Sequence, residues 1–260
     1  MGDITVHCLV RNEERFVRAA LSSVLPLARR VLVYDTGSTD ATLDVVTSLA
    51  SDKIELVQKP APGPRQLSEY RNEMIERTTT EWFMLVDGDE IYPAHSVRRI
   101  LEEIPTVPPG IHRVDIQRRE FLRSFNFISP VRWIGRIFRT SQIQIRPGHR
   151  PNRPWIDLPY LRDDSSAPLD QFTVRLPEDV FFVHCHYFVR SSRDVDLGEF
   201  RRWRTPRFPA LPYFGPWPET FELNGVAHRM TPGIFYTWIW LNARIVWSRY
   251  FHLPWKPARV

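Results

Sequence analysis

The stretch "FMLVDGDEIYP", residues 83–93, decides how the first half of this chain is interpreted. Four apolar residues run directly into Asp87, Asp89 and Glu90, three acids within four positions. The apolar run is typical of a buried strand, and carboxylates this close together repel one another unless something positive holds them. We therefore expect a positive charge at the end of this strand.

The rest of the first half alternates between two kinds of segment. Apolar runs at 3–10, 28–36 and 53–60 predict strands, and the segments 12–27, 37–51, 68–80 and 94–104 predict helices. Asn12 is the predicted cap of the first helix. This alternation is typical of a parallel sheet, in which ligands bind at the carboxyl ends of the strands. Because Asp35 ends the second strand, we expect Asp35 and Asp87 to line one cleft.

The pattern changes after residue 104. Residues 106–121 and 133–148 predict short antiparallel strands, 150–172 a loop rich in Pro and Asp, and 179–189 one more strand. The predicted fold is therefore α/β, with a mostly parallel sheet flanked by helices, an antiparallel second half and a helical C-terminal extension. We expect the boundaries of these parts at 1–110, 111–190 and 191–260, the last being rich in Pro and aromatic residues.

Charge is unevenly distributed along the chain. Residues 1–112 carry 12 basic and 17 acidic side chains, whereas residues 113–153 carry ten Arg and two acids, a net charge of +8. Arg binds phosphate groups bidentately, so a basic stretch of this kind favours an anionic partner. Nucleic acid, a lipid-linked phosphate, an acidic glycan and a protein fit it equally well.

The N-terminal sequence, the number of cysteines and the segment 233–255 indicate where in the cell the protein is expected. The N-terminus has no basic region before its short apolar run, and two cysteines do not form a disulfide scaffold, so we expect a cytoplasmic protein. The aromatic segment 233–255 predicts a helix, and its charges argue against a membrane span. Packing of this helix on the domain is the favoured interpretation, and peripheral contact with a membrane surface is the alternative.

The Asp-x-Asp spacing at a strand end suits a hard divalent cation. Mg²⁺ and Mn²⁺ bind through one or two carboxylates together with substrate phosphates. Alone the spacing is a weak signal, and an exposed acidic turn is the usual alternative. His184 and His186 share one face of the strand predicted at 179–189, so either is a candidate third metal ligand or diphosphate contact, with a structural pair as the alternative. His149 is a weaker candidate.

Several segments together resemble the family-two glycosyltransferases. Residues 4–46, with "NEE" and "DTGSTD" in this order, resemble the opening of that family. The segment "YRNEMIERTTTEWFMLVDGDE" (70–90) resembles its "ARN" helix and Asp-x-Asp strand. Downstream, "GRIFR" (135–139) resembles an "RLFR" segment and "HYF" (186–188) an "HYG" element. The resemblance is dense over 3–91, patchy over 92–190 and absent beyond.

The resemblance implies a GT-A fold and transfer of a sugar, usually with inversion, from a nucleotide-sugar donor. A UDP-sugar with Mn²⁺ or Mg²⁺ is favoured, and a hexose is the expected sugar. Residues 1–110 would then bind the donor, and 111–190 would form the acceptor side.

The resemblance also implies individual roles. Asp35 would accept a hydrogen bond from the base, and the backbone of Val10, Arg11 and Asn12 would border base and ribose. Arg71 would face the diphosphate. Asp87 would approach ribose or metal, Asp89 would bind the metal, and His186 is the preferred third ligand.

The general base stays unassigned at this stage. In similar enzymes a "G-x-x-H-E" element supplies a Glu that can serve as base, but "GHRPN" (148–152) has none. Asp157, Asp163 and Asp164 are the candidates, together with Asp115.

Two other functions stay open. A sugar-nucleotide nucleotidyltransferase would need a Gly-rich, Lys-containing phosphate loop after the first strand, and "VRNEER" (10–15) is not one. The second is a degenerate transferase that only binds a sugar or nucleotide. The lack of an assigned general base agrees with this function, but the presence of Asp35, Asp87 and Asp89 counts against it.

Overall fold

The structure is a computed structural model that describes residues 3–63, 65–121, 127–150, 153–162, 168–185, 191 and 211–212, with the backbone alone at 148–150, 153–158 and 212. The helices are α1 (Val17–Val24), α2 (Thr42–Thr47), α3 (Gln66–Glu76) and α4 (Ala94–Glu103). The strands are β1 (Ile4–Val10), β2 (Ala28–Asp35), β3 (Ile54–Gln58), β4 (Trp82–Leu85), β5 (Glu90–Ile91), β6 (Arg113–Glu120), β7 (Phe127–Ile128), β8 (Arg132–Arg139), β9 (Ile143–Arg150), β10 (Arg153–Leu161), β11 (Thr173–Arg175), β12 (Phe181–His184) and β13 (Leu211–Pro212). Short 3-10 helices cover Ile104–Thr106, Thr140–Gln142 and Leu169–Phe172.

One large sheet has the strand order β3-β2-β1-β4-β8-β6-β12-β5, and β11 pairs with β6 beside that path. β1 is parallel to both β2 and β4, and β2 is parallel to β3. β8 is antiparallel to both β4 and β6, so β6 runs in the direction of β4, and β12 is parallel to β6. The carboxyl ends of β1, β2, β4, β6 and β12 therefore lead toward one edge of the sheet, which we call the carboxyl edge.

The predicted fold class is confirmed. The sheet is mostly parallel and flanked by helices, β8 adds antiparallel pairing, and β9 with β10 forms a separate antiparallel sheet. The predicted helical extension at 191–260 lies outside the described residues, apart from 191 and 211–212.

The central strand β1 shows why the first half folds in this way. Val6, Cys8 and Val10 on one face belong to the main core cluster, which Leu21 of α1 also joins. On the other face His7 is fully buried and its ring stacks on Phe83. A strand covered on both faces is typically a nearly continuous apolar run, as "ITVHCLV" is.

The first helix begins later than predicted. α1 starts at Val17, and Asn12 is not its cap but has a positive φ of 56°. The backbone N–H of Asn12 donates to Ser38 Oγ, and its side-chain Oδ1 accepts from the backbone N–H of Thr39. Asn tolerates the left-handed conformation better than most residues, so here it joins the loops after β1 and β2 instead of starting a helix.

The prediction of a loop over 150–172 was wrong in part. Residues Arg153–Leu161 form β10, which pairs antiparallel with β9. In this two-stranded sheet both strands are edge strands, where Pro is tolerated because its missing N–H faces away from the partner. Pro147 lies opposite Asp157, and Pro159 lies opposite Ile145.

His7 makes stability depend on pH. Burial, and to a lesser degree Arg71, lowers the pKa of His7 from 6.5 to about 3. Above pH 6.5 the ring is neutral in both the folded and the unfolded chain; below it only the unfolded chain takes up the proton, so stability falls between pH 6.5 and 3. At pH 4 this group alone should lower the free energy of unfolding by about 3 kcal/mol.

The variant His7→Phe tests this expectation by urea unfolding at pH 7 and pH 4. Phe keeps the stacking on Phe83, and Thr78, which contacts His7 Nε2 at 2.6 Å, still donates to Met74 O. We expect the variant to lose less stability than the wild type on acidification, because all other titrating groups are common to both proteins. Equal losses would contradict the assignment.

Candidate active site

The acids of the opening stretch lie in a tight turn. β4 ends at Leu85, earlier than predicted, and the backbone N–H of Glu90 donates to Asp87 O at 3.0 Å. A Cβ at Gly88 would lie 2.9 Å from Glu13 Cγ and 3.0 Å from Val10 Cγ1. The turn therefore packs directly against the chain that leaves β1, and only Gly fits at its centre.

Asp87 lies between two guanidinium groups. Its Oδ1 is 3.4 Å from Arg71 Nη2, and its Oδ2 is 3.3 Å from Arg136 Nη2. Burial raises the pKa of Asp87, but Arg136 and Arg71 more than offset this, so the pKa lies below its ordinary value. Arg71, predicted from the resemblance to face the diphosphate, thus lies beside a carboxylate at the carboxyl edge.

Glu90 points into the protein. It is fully buried and forms an ion pair with Arg136, and its Oε2 accepts from the backbone N–H of Asp87 at 3.2 Å. Burial raises the pKa of Glu90 to about 7, although Arg136 opposes this rise. The positive charge that the acidic stretch required is supplied in part by the chain itself. Sequence reasoning missed Arg136, for which the one signal was an Arg within the apolar strand "RWIGRIFR".

Asp89 is 3% exposed, which excludes an exposed acidic turn at this position. Its Oδ1 lies 3.4 Å from His184 Nε2, and His184 Nδ1 lies 3.3 Å from Glu120 Oε1. Burial lowers the pKa of His184, but Asp89 and Glu120 more than offset this and raise it to about 10. The end of β12 is held against the turn, because the backbone N–H of Cys185 donates to Asp89 O at 2.9 Å.

The structure thus places His184, one of the two predicted histidines, beside Asp89. His186, the preferred third ligand, lies outside the described residues. Glu120 was not among the sequence candidates; it ends β6 and lies opposite His184 in the register of β6 and β12.

Asp35 ends β2 and is 2% exposed. Its Oδ2 accepts from the backbone N–H groups of Gly37 and Ser38 at 3.1 and 3.0 Å. Its Oδ1 is buried and has no hydrogen-bond partner within the described parts of the chain. One acceptor oxygen is therefore fixed by the backbone, and the other is left for a donor from outside these residues.

The residues predicted to border the base lie around Asp35. Val10 is the register partner of Asp35, and its carbonyl accepts from Thr36 N–H. Arg11 is exposed, and Asn12 contacts the loop after β2 as described above. β2 and β4 flank β1 in parallel, so Asp35 and Asp87 lie at the same edge of the sheet.

Of the candidate bases, Asp115 is the one with a described side chain. Asp163 and Asp164 lie outside the described residues, and only the backbone is described for Asp157 and for His149. Both carboxylate oxygens of Asp115 accept from Arg113, at 2.6 and 3.2 Å. Asp115 is therefore committed to an ion pair.

Many arginines of the basic stretch 113–153 also have partners within the protein. Arg113 pairs with Asp115 and Asp170, Arg139 pairs with Glu81, and Arg136 is buried with Glu90. The described part of this stretch is therefore not a uniform basic surface. Segment 233–255 lies outside the described residues, and none of the described helices is long and apolar enough to cross a membrane.

Comparison with known proteins yields a family and several relatives. Residues 5–164 match the model of glycosyl transferase family 2. The SPbeta prophage-derived glycosyltransferase SunS of Bacillus subtilis (strain 168) is 31% identical over 105 residues, 38% of this chain and 24% of SunS. An uncharacterized glycosyltransferase of Nostoc sp. (strain PCC 7120) is 31% identical over 113 residues, 40% of this chain and 34% of that protein. The matches thus span about a quarter to a third of these relatives.

Solved structures give a more distant likeness. Glucosyl-3-phosphoglycerate synthase from Mycobacterium tuberculosis, crystallised with Mn²⁺, UDP and glucosyl-3-phosphoglycerate, is 22% identical, with 46% of this chain and 44% of that chain covered and a TM-score of 0.35. The family model carries the assignment: its match over residues 5–164 covers more than half of the 260 residues, so this chain belongs to glycosyl transferase family 2.

Proposed function

We propose that this protein is a metal-dependent glycosyltransferase that moves a sugar from a nucleotide-sugar donor to an acceptor. The observation that carries the proposal is that the buried Asp35 Oδ1 and the Asp87–Gly88–Asp89 turn lie at the same edge of the sheet. Family membership and the glycosyltransferases among the relatives support it.

Asp35 favours a uracil base. A carboxylate only accepts hydrogen bonds, and uracil presents an N–H at N3, whereas cytosine presents an acceptor there. Gly37 N–H and Ser38 N–H already hold Oδ2, so Oδ1 is the atom that would meet the base. This supports a UDP-sugar as donor.

The turn and its neighbours suit a divalent cation of the Mn²⁺ or Mg²⁺ type. The described residues contain no group of three or more side chains arranged to hold a metal ion by themselves. Asp87 and Asp89 nevertheless lie in one turn, and such cations take few protein ligands when substrate phosphates supply the rest. Asp89 would hold the ion, with Asp87 or His186 as further ligands, and His184, whose raised pKa keeps it protonated between Asp89 and Glu120, would orient the Asp89 carboxylate. Bound there, the ion would act as a Lewis acid on the leaving diphosphate.

The remaining residues bind and orient the donor. Arg71 would contact the diphosphate, and Val10, Arg11 and Asn12 would border base and ribose. In an inverting hexosyl transfer the nucleophilic atom of the acceptor bonds to the anomeric carbon, the bond from that carbon to the diphosphate breaks, and the nucleoside diphosphate leaves with the electron pair. A base takes the acceptor proton; Asp157, Asp163 and Asp164 remain the proposed candidates. The acceptor itself, whether glycan, lipid-linked, protein or nucleic acid, is not assigned.

Hydrolysis of nucleotide sugars tests the proposal, because slow donor hydrolysis needs no acceptor. UDP-, GDP-, CDP- and ADP-sugars are incubated with the protein and Mn²⁺, and the released nucleotide is measured. We expect release of UDP that stops when the metal is chelated. Binding of a nucleotide sugar without turnover would favour the degenerate binding module, and release of pyrophosphate from UTP and a sugar phosphate would favour a nucleotidyltransferase.

The packing of the turn gives a prediction with a matched control. Gly88→Ala places a Cβ against Glu13 and Val10. Such overpacking typically shifts the backbone and lowers the free energy of unfolding by about 1–3 kcal/mol. Because the turn carries Asp87 and Asp89, we expect UDP release to fall by roughly tenfold or more. Gly110→Ala, whose Cβ would have no atom within 4 Å, should leave hydrolysis and the melting temperature unchanged. Full activity of Gly88→Ala would show that the turn tolerates displacement.

A further inference from the structure

Arg136 is a buried cation at the carboxyl edge, and the reaction described above assigns it no role. It belongs to β8, whose register with β4 pairs Met84 with Ile137. Arg136 precedes Ile137 in β8, and because the two strands are antiparallel it lies where β4 gives way to the acidic turn. It is 8% exposed, and its guanidinium stacks over the ring of Phe182 with 5.3 Å to the centroid.

Three contacts join Arg136, Glu90 and Asp87 in a closed arrangement. Arg136 Nη2 forms an ion pair with Glu90 and lies 3.3 Å from Asp87 Oδ2. Glu90 Oε2 accepts from the backbone N–H of Asp87 at 3.2 Å. The backbone of Asp87 is thus held by Glu90, and its carboxylate is held by Arg136.

The opposite oxygen of Asp87 is held as well. Arg71 Nη2 lies 3.4 Å from Oδ1, so each oxygen of the carboxylate faces its own guanidinium group. A side chain restrained at the backbone and at both oxygens has one orientation, and displacement of a site residue by about 1 Å can lower catalysis by about a hundredfold. Arg71 comes from α3 and Arg136 from β8, so the second restraint depends on the antiparallel strand beside β4.

We propose that Arg136, paired with Glu90, is a positioning residue that fixes the carboxylate of Asp87 in the donor site. It acts through Asp87 and does not touch the substrate. The proposal rests on the proposed function, because it requires Asp87 to meet the ribose or the metal of the donor.

Lysine at position 136 separates charge from geometry. Arg136→Lys keeps the positive charge near Glu90, but a single ammonium cannot reproduce the planar fork that serves Glu90 and Asp87 together. We expect the affinity for UDP with Mn²⁺, measured by isothermal titration, to fall about tenfold, with a corresponding rise in the donor KM. Arg139→Lys is the matched control on the same strand: Arg139 pairs with Glu81, and UDP affinity should change less than about twofold.

A double-mutant cycle distinguishes positioning from a general structural role. In an Asp87→Ala background, Arg136→Lys should have no further effect on UDP affinity, because the group that it positions is gone. A structural role would lower affinity by the same factor in both backgrounds and would overturn the proposal. So would unchanged affinity of Arg136→Lys in the wild-type background.

A second pair of variants serves as a control for effects on folding. Arg136→Met alone leaves Glu90 buried without its partner, whereas Arg136→Met with Glu90→Met replaces the whole pair by apolar side chains, which is often nearly neutral for stability. We expect the double variant to melt near the wild type and still to bind UDP about tenfold more weakly. Wild-type affinity in a folded double variant would refute the positioning role. If the wild type itself binds no nucleotide in the presence of Mn²⁺, the proposed function fails first, and this inference fails with it.

Discussion

Asp89→Asn is expected to abolish transfer and donor hydrolysis while the protein stays folded. The substitution removes one hard, charged ligand from the proposed metal site and so weakens the metal–diphosphate complex. Lewis-acid stabilisation of a leaving group contributes several kcal/mol, which corresponds to a loss of roughly 10³-fold or more in kcat/KM. The measurement is Mn²⁺-dependent release of UDP, together with Mn²⁺ affinity by titration.

The choice of Asn follows from the structure. Asp89 is 3% exposed and lies beside the buried His184. Alanine would leave a gap beside a buried imidazole, whereas Asn keeps the shape and a hydrogen-bonding group. Asp170→Asn, at a side chain that is 86% exposed, is the control and should keep full activity. Undiminished hydrolysis by a folded Asp89→Asn variant, or hydrolysis that excess chelator leaves unchanged, would refute the metal site.

Local patterns were enough to find the first half of the sheet. The strands β1 and β2 end at Val10 and Asp35, and β4 ends at Leu85, two residues before Asp87. This succeeds because parallel strands with short connections share one carboxyl edge, so that the end of a run fixes the location of the next side chain.

What the sequence did not reveal depends on contacts between distant parts of the chain. Glu90 was grouped with Asp87 and Asp89 as acids that require a positive charge, and for Glu90 that charge comes from Arg136 of β8, 46 positions further along. His184 meets Asp89 only because β12 lies between β6 and β5 in the sheet. No local pattern encodes the order in which antiparallel strands join a sheet, so the charge partners of buried acids could not be assigned in advance.

Asp35→Asn is expected to reverse the base preference of the donor site. In the wild type Oδ2 accepts from Gly37 N–H and Ser38 N–H, so an Asn must direct its carbonyl oxygen to these two donors. Its NH₂ group then occupies the place of Oδ1 and faces the base. Uracil presents its N3–H there, so two hydrogen-bond donors would face each other. Cytosine instead presents a lone pair at N3, which accepts a hydrogen bond from the amide.

The measurement is kcat/KM for hydrolysis of a UDP-sugar and of the matching CDP-sugar. An unpaired buried donor costs about 1–3 kcal/mol, so the value for the UDP-sugar should fall by roughly 10- to 100-fold, and the value for the CDP-sugar should rise above it. Asp35→Ala is the control: it removes the acceptor without supplying a donor, so the UDP-sugar should lose activity with no gain for the CDP-sugar. An unchanged ratio in a folded Asp35→Asn variant would mean that the base does not meet this side chain, and the assignment of Asp35 to base recognition would be wrong.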